Sequence, residues 1–159
     1  MTSPRVEQSD EAAFEDFARL EGLRLRRALV GRYGLQLGTD LHADVMARAW
    51  EDWSRIGAME NPVGYLWRVA ESDSRRYQRW ALRSRFPDWI PEVPTVADQD
   101  LLLSLGSLTP DQRVAVVMVH AHKASYKEVA DLLDVPVTTV TNLVHRGLAR
   151  LRKDLEEER

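Results

Sequence analysis

Residues 125–140 read SYKEVADLLDVPVTTV, and this stretch decides the fold. Ser125 with Glu128 three residues later forms the capping-box pattern that starts a helix. The following Asp134-Val135-Pro136 segment predicts a tight turn, since proline does not fit inside a helix. A second helix is expected from Val137 to about Glu157. Two helices joined by a turn of three or four residues are typical of a helix-turn-helix.

The second of these helices is amphipathic. Its apolar residues recur at helical spacing and predict an inward stripe of Val140, Leu143, Val144, Leu148, Leu151 and Leu155. The opposite face is polar and basic, and such side chains bind base edges and phosphates in a major groove. With Lys127 of the first helix, the predicted duplex-reading residues are Thr138, Thr139, Thr141, Asn142, His145, Arg146 and Arg150. A plain amphipathic hairpin with a solvated polar face is the alternative.

The remainder of the chain is helical in pattern, with almost no strand signal. A first helix is predicted over 10–33, and the glycines at 31, 34 and 38 predict a loop after it. A second helix is expected to begin at Thr39 or Asp40 and to end near Gly57. A third is expected over 61–83, because Asn61-Pro62 places proline in a first helical turn.

A proline-rich stretch then divides the chain. Three prolines between Pro87 and Pro94 exclude a helix there and predict an extended linker. We therefore predict domains at 1–85 and 100–159 joined by a linker at 86–99; a loop packed on the surface is the alternative. A short apolar helix is expected over 100–107, and Thr109-Pro110 starts another. The predicted fold class is all-α, with two small helical domains and a C-terminal helix-turn-helix.

Composition narrows the possible functions. The 159 residues have a net charge of -3 and no cysteine, which excludes disulfides, thiolate metal sites and a uniformly basic nucleic-acid binder. Positive charge is nevertheless concentrated in two stretches: Arg68, Arg75, Arg76, Arg79, Arg83 and Arg85, then Arg146, Arg150, Arg152 and Lys153. Each stretch fits a DNA contact or, alternatively, a solvated helix face.

Other classes of protein lack support in the sequence. No apolar run approaches the roughly 20 residues that cross a bilayer, and the N-terminus carries no signal-peptide pattern. We therefore expect a cytoplasmic protein without membrane insertion. There is no glycine-rich phosphate loop and no catalytic constellation. The four histidines, His42, His120, His122 and His145, are not spaced as metal ligands. We expect no enzyme activity, cofactor or metal.

Three segments together resemble region four of bacterial sigma factors of the sigma-70 family. They are LTPDQR (108–113), the opening stretch 125–140 and HRGLARLR (145–152), and the most similar class is the compact extracytoplasmic-function (ECF) class. In the first half, TDLHADVMARAW (39–50) resembles the region-two helix that binds the polymerase clamp. NPVGYLWRVA (61–70) resembles the segment that melts and binds the minus-ten element. The resemblance implies that region four reads the minus-thirty-five element.

The resemblance also implies site residues in the first half. Those for RNA polymerase are Asp40, Leu41, Asp44, Arg48, Glu51 and Asp52. Those for the minus-ten element are Asn61, Tyr65, Trp67, Arg68, Ser72, Arg75, Arg76 and Arg79. Aromatic and arginine residues are interleaved here, as expected of a surface on which single-stranded bases stack. The alternative is that Trp67 and Trp80 are core residues.

The implied function is an alternative sigma factor that directs promoter-specific transcription initiation. Its implied partners are promoter DNA, the beta-prime clamp and beta flap of core RNA polymerase, and an anti-sigma factor. Departures from the family pattern stand at Ala43, Ser72, Arg76 and Thr138, and at 141–143. Those at Ala43, Ser72 and Arg76 motivate a second hypothesis, a sigma-like mimic that sequesters an anti-sigma factor. A stand-alone helix-turn-helix regulator is the third.

Overall fold

The computed structural model describes the backbone of residues 4–81 and 104–157, with side chains for 8–77 and 104–157. Within those ranges the chain is helical without strands, which confirms the all-α prediction. The predicted linker at 86–99 lies outside the described residues. The helices are α1 (Pro4–Phe17), α2 (Leu23–Tyr33), α3 (Leu35–Glu51), α4 (Trp53–Ile56), α5 (Pro62–Ala81), α6 (Pro110–Val116), α7 (Tyr126–Leu133) and α8 (Val137–Glu157). Residues 104–107 form a further helical turn.

Capping side chains fix where the C-terminal helices begin. The Thr109 hydroxyl accepts a hydrogen bond from the Gln112 amide at 3.2 Å, and the Gln112 side chain accepts one from the Thr109 amide. Ser125 and Glu128 make the same reciprocal pair at 3.0 and 2.9 Å. Both predicted helix starts are confirmed. Because each cap stabilises its helix by about 1 kcal/mol, the local sequence sets these boundaries without tertiary help.

The glycine-rich loop predicted after the first helix is wrong. The chain breaks only at Gly34, whose φ of 88° is unfavourable for other residues, and α3 begins at the next residue. Gly38 lies inside α3, where a Cβ atom would approach the Leu29 carbonyl and the Val30 backbone to 2.6 Å. Glycine at 38 therefore allows α2 and α3 to cross closely and does not break the helix.

The first half packs α2, α3 and α5 around a shared apolar centre. Its fully buried residues come from all three helices: Leu25, Ala28, Leu29, Leu41, Val45, Ala49, Leu66, Trp67 and Ala70. A π-helical turn, Ala18–Gly22, joins α1 to α2. The α1 helix covers one edge of the core, where Phe14 and Phe17 pack against Trp53 with ring centroids 5.3 and 4.9 Å apart.

The helices on either side of residues 82–103 pack on one another. The α6 helix and the π-helical turn after it, Val117–Ala121, lie against α2, while α7 lies against α5. Val114, Met118, Val129 and Val140 belong to the same apolar cluster as the residues of the first half. The two predicted units are therefore in direct contact in this structure.

Candidate nucleic-acid interface

The helix-turn-helix has the predicted form. The α7 helix ends at Leu133, and Asp134 adopts the left-handed conformation with φ of 54° and ψ of 49°. The Val135 amide donates back to the Ala130 carbonyl at 3.0 Å, and α8 starts immediately after Pro136. This turn sets the angle between the two helices. It leaves the first turns of α8 on the surface of the molecule.

The exposed side of α8 carries polar groups that the fold does not use. Thr138, Asn142, His145 and Arg146 are exposed, and no other described residue forms a hydrogen bond or ion pair with their side chains. Donors and acceptors left free in this way are available to the edges and phosphates of a duplex.

The other residues predicted for the minus-thirty-five element are already engaged within the chain. The Thr141 hydroxyl donates to the Val137 carbonyl at 3.0 Å, and Thr139 is half-buried. Arg150 pairs with Asp154 at 3.2 Å, and Lys127 pairs with Asp131 at 2.8 Å. These exposed ion pairs are weak and exchangeable, so the two basic residues remain candidates of lower rank.

The polar side chains predicted at the start of α5 make contacts within the chain. Asn61 accepts the Gly64 amide at 3.1 Å and so caps α5, while its Nδ2 donates to the Asp131 carbonyl at 2.7 Å. Arg68 pairs with Asp134 at 3.3 Å between the side-chain atoms. The half-buried Tyr65 ring faces the Arg55 guanidinium, 5.6 Å from the ring centroid.

The rest of the predicted minus-ten set divides between surface and core. Ser72, Arg75 and Arg76 are exposed, and Arg76 lies 3.6 Å from the buried Asp73 carboxylate. Arg79 belongs to α5, but its side chain lies outside the described residues. Trp67 is only 1% exposed and sits in the core, so the assignment of this ring as a base-stacking platform is corrected.

The predicted polymerase surface on α3 is acidic and accessible. Asp40, Asp44, Arg48 and Glu51 are exposed, and Asp52 is held by Arg55 at 2.5 Å. Leu41 is 0% exposed and packs inside the core, so its assignment as a polymerase contact is corrected.

Two further contacts shape this surface. The Tyr77 hydroxyl donates to the Asp44 carboxylate at 3.0 Å, and this hydrogen bond raises the pKa of Tyr77. Trp50 is 50% exposed beside Glu51, resting on Phe14 at 5.1 Å between ring centroids. The predicted polymerase residues did not include Trp50. Its position one residue after the buried Ala49, off the stripe of Leu41, Val45 and Ala49, was the available signal.

Comparisons with known proteins agree with this layout. A family model described as sigma-70, region 4 matches residues 98–151. The RNA polymerase sigma-E factor of Streptomyces coelicolor is 33% identical over 73% of this chain and 70% of its own length. The sigma-E factor of Streptomyces antibioticus is 34% identical over 74% and 69%. The chain belongs to the ECF class of bacterial sigma factors.

A third relative supports the class, and a solved structure supports the fold. The ECF RNA polymerase sigma factor SigE of Mycolicibacterium smegmatis is 42% identical over 33% of this chain and 21% of its own length. A solved complex of the sigma factor RpoE with the anti-sigma factor NepR, from Bartonella quintana, has a TM-score of 0.67 at 23% identity, over 92% of this chain and 98% of that one. In the present chain, none of the helices within the described residues is long and apolar enough to cross a membrane.

Proposed function

We propose that this sigma factor directs promoter-specific transcription initiation by joining core RNA polymerase to promoter DNA. One observation carries the proposal. The start of α8 presents Thr138, Asn142, His145 and Arg146 unpaired on the surface of a helix-turn-helix, within the segment that the region-four family model matches. A groove-reading helix needs such a face, and an amphipathic hairpin that serves only packing does not.

The other proposed contacts, with core polymerase and with the minus-ten element, lie on α3 and α5. The acidic face of α3 with exposed Trp50 is the proposed contact for the polymerase clamp, since exposed aromatics anchor protein interfaces. The exposed side of α5, with Tyr65, Arg68 and Arg75, is the proposed minus-ten surface. The helix-turn-helix half would meet the beta flap. Such a protein works beside the chromosome in the cytoplasm, supplies no catalytic group of its own and is controlled by an anti-sigma factor.

Reconstituted transcription tests this function. Purified sigma factor is added to core RNA polymerase on fragmented genomic DNA of the source organism, and transcript starts are sequenced. We expect starts that share upstream minus-thirty-five and minus-ten elements. Asn142→Ala should reduce their yield about tenfold, as expected when a base contact is lost. Gln8→Ala, which removes an exposed side-chain amide from α1, is the matched control and should not.

The same assay separates the alternatives. A sigma-like mimic predicts tight binding to an anti-sigma factor with no polymerase binding and no transcript. A stand-alone regulator predicts duplex binding without polymerase. The absence of promoter-specific transcripts on every template would refute the proposed function.

A further inference from the structure

The α2 helix packs lengthwise against the segment from α6 to α7, and the two run in opposite chain directions. At the end of α2, Arg32 pairs with Asp111 of α6 at 2.5 Å between the side-chain atoms. About two turns earlier, Arg24 pairs with Glu128 of α7 at 2.9 Å. Each of these two arginines therefore meets an acid that the C-terminal helices supply.

Arg27 lies between those two arginines on α2, and the side chain that comes near it is a histidine. Burial lowers the pKa of His122, and the positive charge of Arg27 lowers it further. The guanidinium and the imidazole are therefore close enough to interact. Where the arginines on either side meet acids, Arg27 meets a group that is neutral or positive, so its charge is not compensated at this point of the contact.

The next residue, Lys123, adds a cation at a position whose backbone favours glycine. Its φ of 56° lies in the left-handed region. The amides on either side close the end of the helical turn: His122 donates to the Val117 carbonyl at 3.1 Å, and Ala124 donates to the Met118 carbonyl at 3.0 Å. Glycine is the usual residue at such a helix end, because it adopts this conformation without steric cost. A lysine there is unfavourable for the backbone, and no contact of its side chain within the described residues offsets that cost.

Arg27, His122 and Lys123 together form what we call the α2–loop patch. All three side chains are exposed, and no described residue forms a hydrogen bond or an ion pair with any of them. Positive charges grouped in this way repel one another and raise the local potential. An anion bound across the patch would offset that repulsion with charge-assisted hydrogen bonds, so the patch is complementary to a phosphate-bearing partner.

The position of the patch favours a DNA duplex as that partner. Lys123 lies just before Ser125, which caps the first helix of the helix-turn-helix, and one turn before Lys127, already a candidate for duplex contact. In helix-turn-helix complexes the first helix crosses the phosphate backbone while the second enters the major groove. The loop that leads into α7 therefore lies on the path of the backbone, where lysine and arginine bind phosphates without reading sequence.

We propose that the α2–loop patch is a phosphate-binding site that holds a DNA duplex beside the bases read by α8. The inference rests on the proposed function, because it takes α8 as the duplex-reading helix. The patch supplies affinity that is independent of sequence and sensitive to salt, since each phosphate contact releases bound counterions. Its members come from two distant stretches of the chain, and the DNA-binding residues predicted from the sequence included none of them.

Binding of the whole sigma factor to a mixed-sequence duplex tests the patch without requiring a promoter. Fluorescence anisotropy over a salt series gives the affinity and the slope of log affinity against log salt. Lys123→Gln should weaken binding roughly threefold to tenfold at low salt and lower the slope by about 1. The double variant R27Q/K123Q should lower the slope by about 2. Arg19→Gln, which removes an exposed cation paired with Asp16 before α2, is the matched control and should change neither quantity.

Lys123→Gly separates a role in binding from a role in folding. Glycine suits the left-handed conformation, so the melting temperature of this variant should rise by about 2–4 °C. The same variant should lose as much duplex affinity as Lys123→Gln, whereas Lys123→Arg retains the charge and should keep most of the affinity. Circular dichroism and anisotropy measure the two properties on one preparation. A more stable Lys123→Gly that binds the duplex as well as the parent would overturn the inference.

Three further outcomes would also overturn it. A parent chain that does not bind the duplex at low salt has no such site. Equal losses in Arg19→Gln and Lys123→Gln would show a net-charge effect. Binding of inorganic pyrophosphate in calorimetry that Lys123→Gln abolishes, with duplex binding unchanged, would make the patch a site for a small polyphosphate. The proposed function is judged separately, because promoter-specific transcription with core polymerase can fail while these duplex affinities behave as expected, and can succeed when they do not.

Discussion

The polar side chains near the starts of α8 and α5 are similar in kind and differ in availability. Each set includes an asparagine and an arginine, and the sequence predicts DNA contact for both. On α8 the side chains of Asn142 and Arg146 are free among the described residues. On α5, Asn61 is bound by the Asp131 carbonyl and Arg68 by the Asp134 carboxylate. A pattern of basic and aromatic residues therefore predicts which chemical groups a surface carries. Whether that surface is accessible depends on residues distant in sequence, here Asp131 and Asp134.

The largest effect we expect concerns two aromatics on α5. Trp67 is buried in the core and Tyr65, two residues earlier, is half-buried at the rim. Trp67→Ala should lower the free energy of unfolding by about 3–5 kcal/mol, because it leaves a large cavity. Tyr65→Ala should cost about 1 kcal/mol and act mainly on strand binding. Urea denaturation followed by circular dichroism measures both; similar losses for the two variants would contradict the division of α5 into core and rim.

The next largest effect is expected for Arg113, which joins α6 to α2. Arg113→Ala should lower the free energy of unfolding by roughly 2–3 kcal/mol, because the buried carbonyls of Gly31 and Arg32 lose charged donors. Arg146→Ala, on the free face of α8, should change it by less than about 0.5 kcal/mol. Denaturation of the two variants side by side is the measurement. A near-neutral Arg113→Ala would mean that these two hydrogen bonds add nothing to the stability of the contact between α2 and α6.

Local signals made the helix-turn-helix and its caps predictable, since each boundary is set by side chains within three or four residues. Ser125 with Glu128 needs nothing from the rest of the chain. The prediction for Gly38 was wrong because this glycine is required by a neighbouring helix. The sequence alone does not distinguish a glycine that permits a close helix crossing from one that breaks a helix. The burial of Leu41 and Trp67 and the pairing of Arg68 with Asp134 likewise depend on the packing of distant segments.

A third prediction compares free and paired arginines on α8. Arg146→Ala should weaken binding of a promoter duplex by about 1–3 kcal/mol if the guanidinium reads a base. If it binds a phosphate, the slope of log affinity against log salt should fall by about 1. Arg150→Ala should do less, because Arg150 is shared with Asp154. Fluorescence anisotropy over a salt series separates these cases, and a larger loss for Arg150→Ala would reverse the ranking of the two residues.

The smallest effect concerns Glu21, on the π-helical turn before α2. Burial, aided by Asp131, raises its pKa against the opposing effect of Arg24. A carboxyl whose folded-state pKa is raised favours folding below its ordinary pKa, and this contribution is lost as the pH rises through the raised value. Glu21→Gln should therefore be more stable than the parent at pH 7.5, by roughly a few tenths of a kcal/mol for a group this exposed.

The pH dependence identifies the cause of that small gain. The advantage of Glu21→Gln should shrink as the pH falls towards the ordinary glutamate value, because the parent carboxyl then becomes neutral as well. Glu15→Gln, on the exposed side of α1, is the matched control for removing one negative charge. An advantage that does not depend on pH would place its origin in helix propensity and not in the burial of the Glu21 carboxyl.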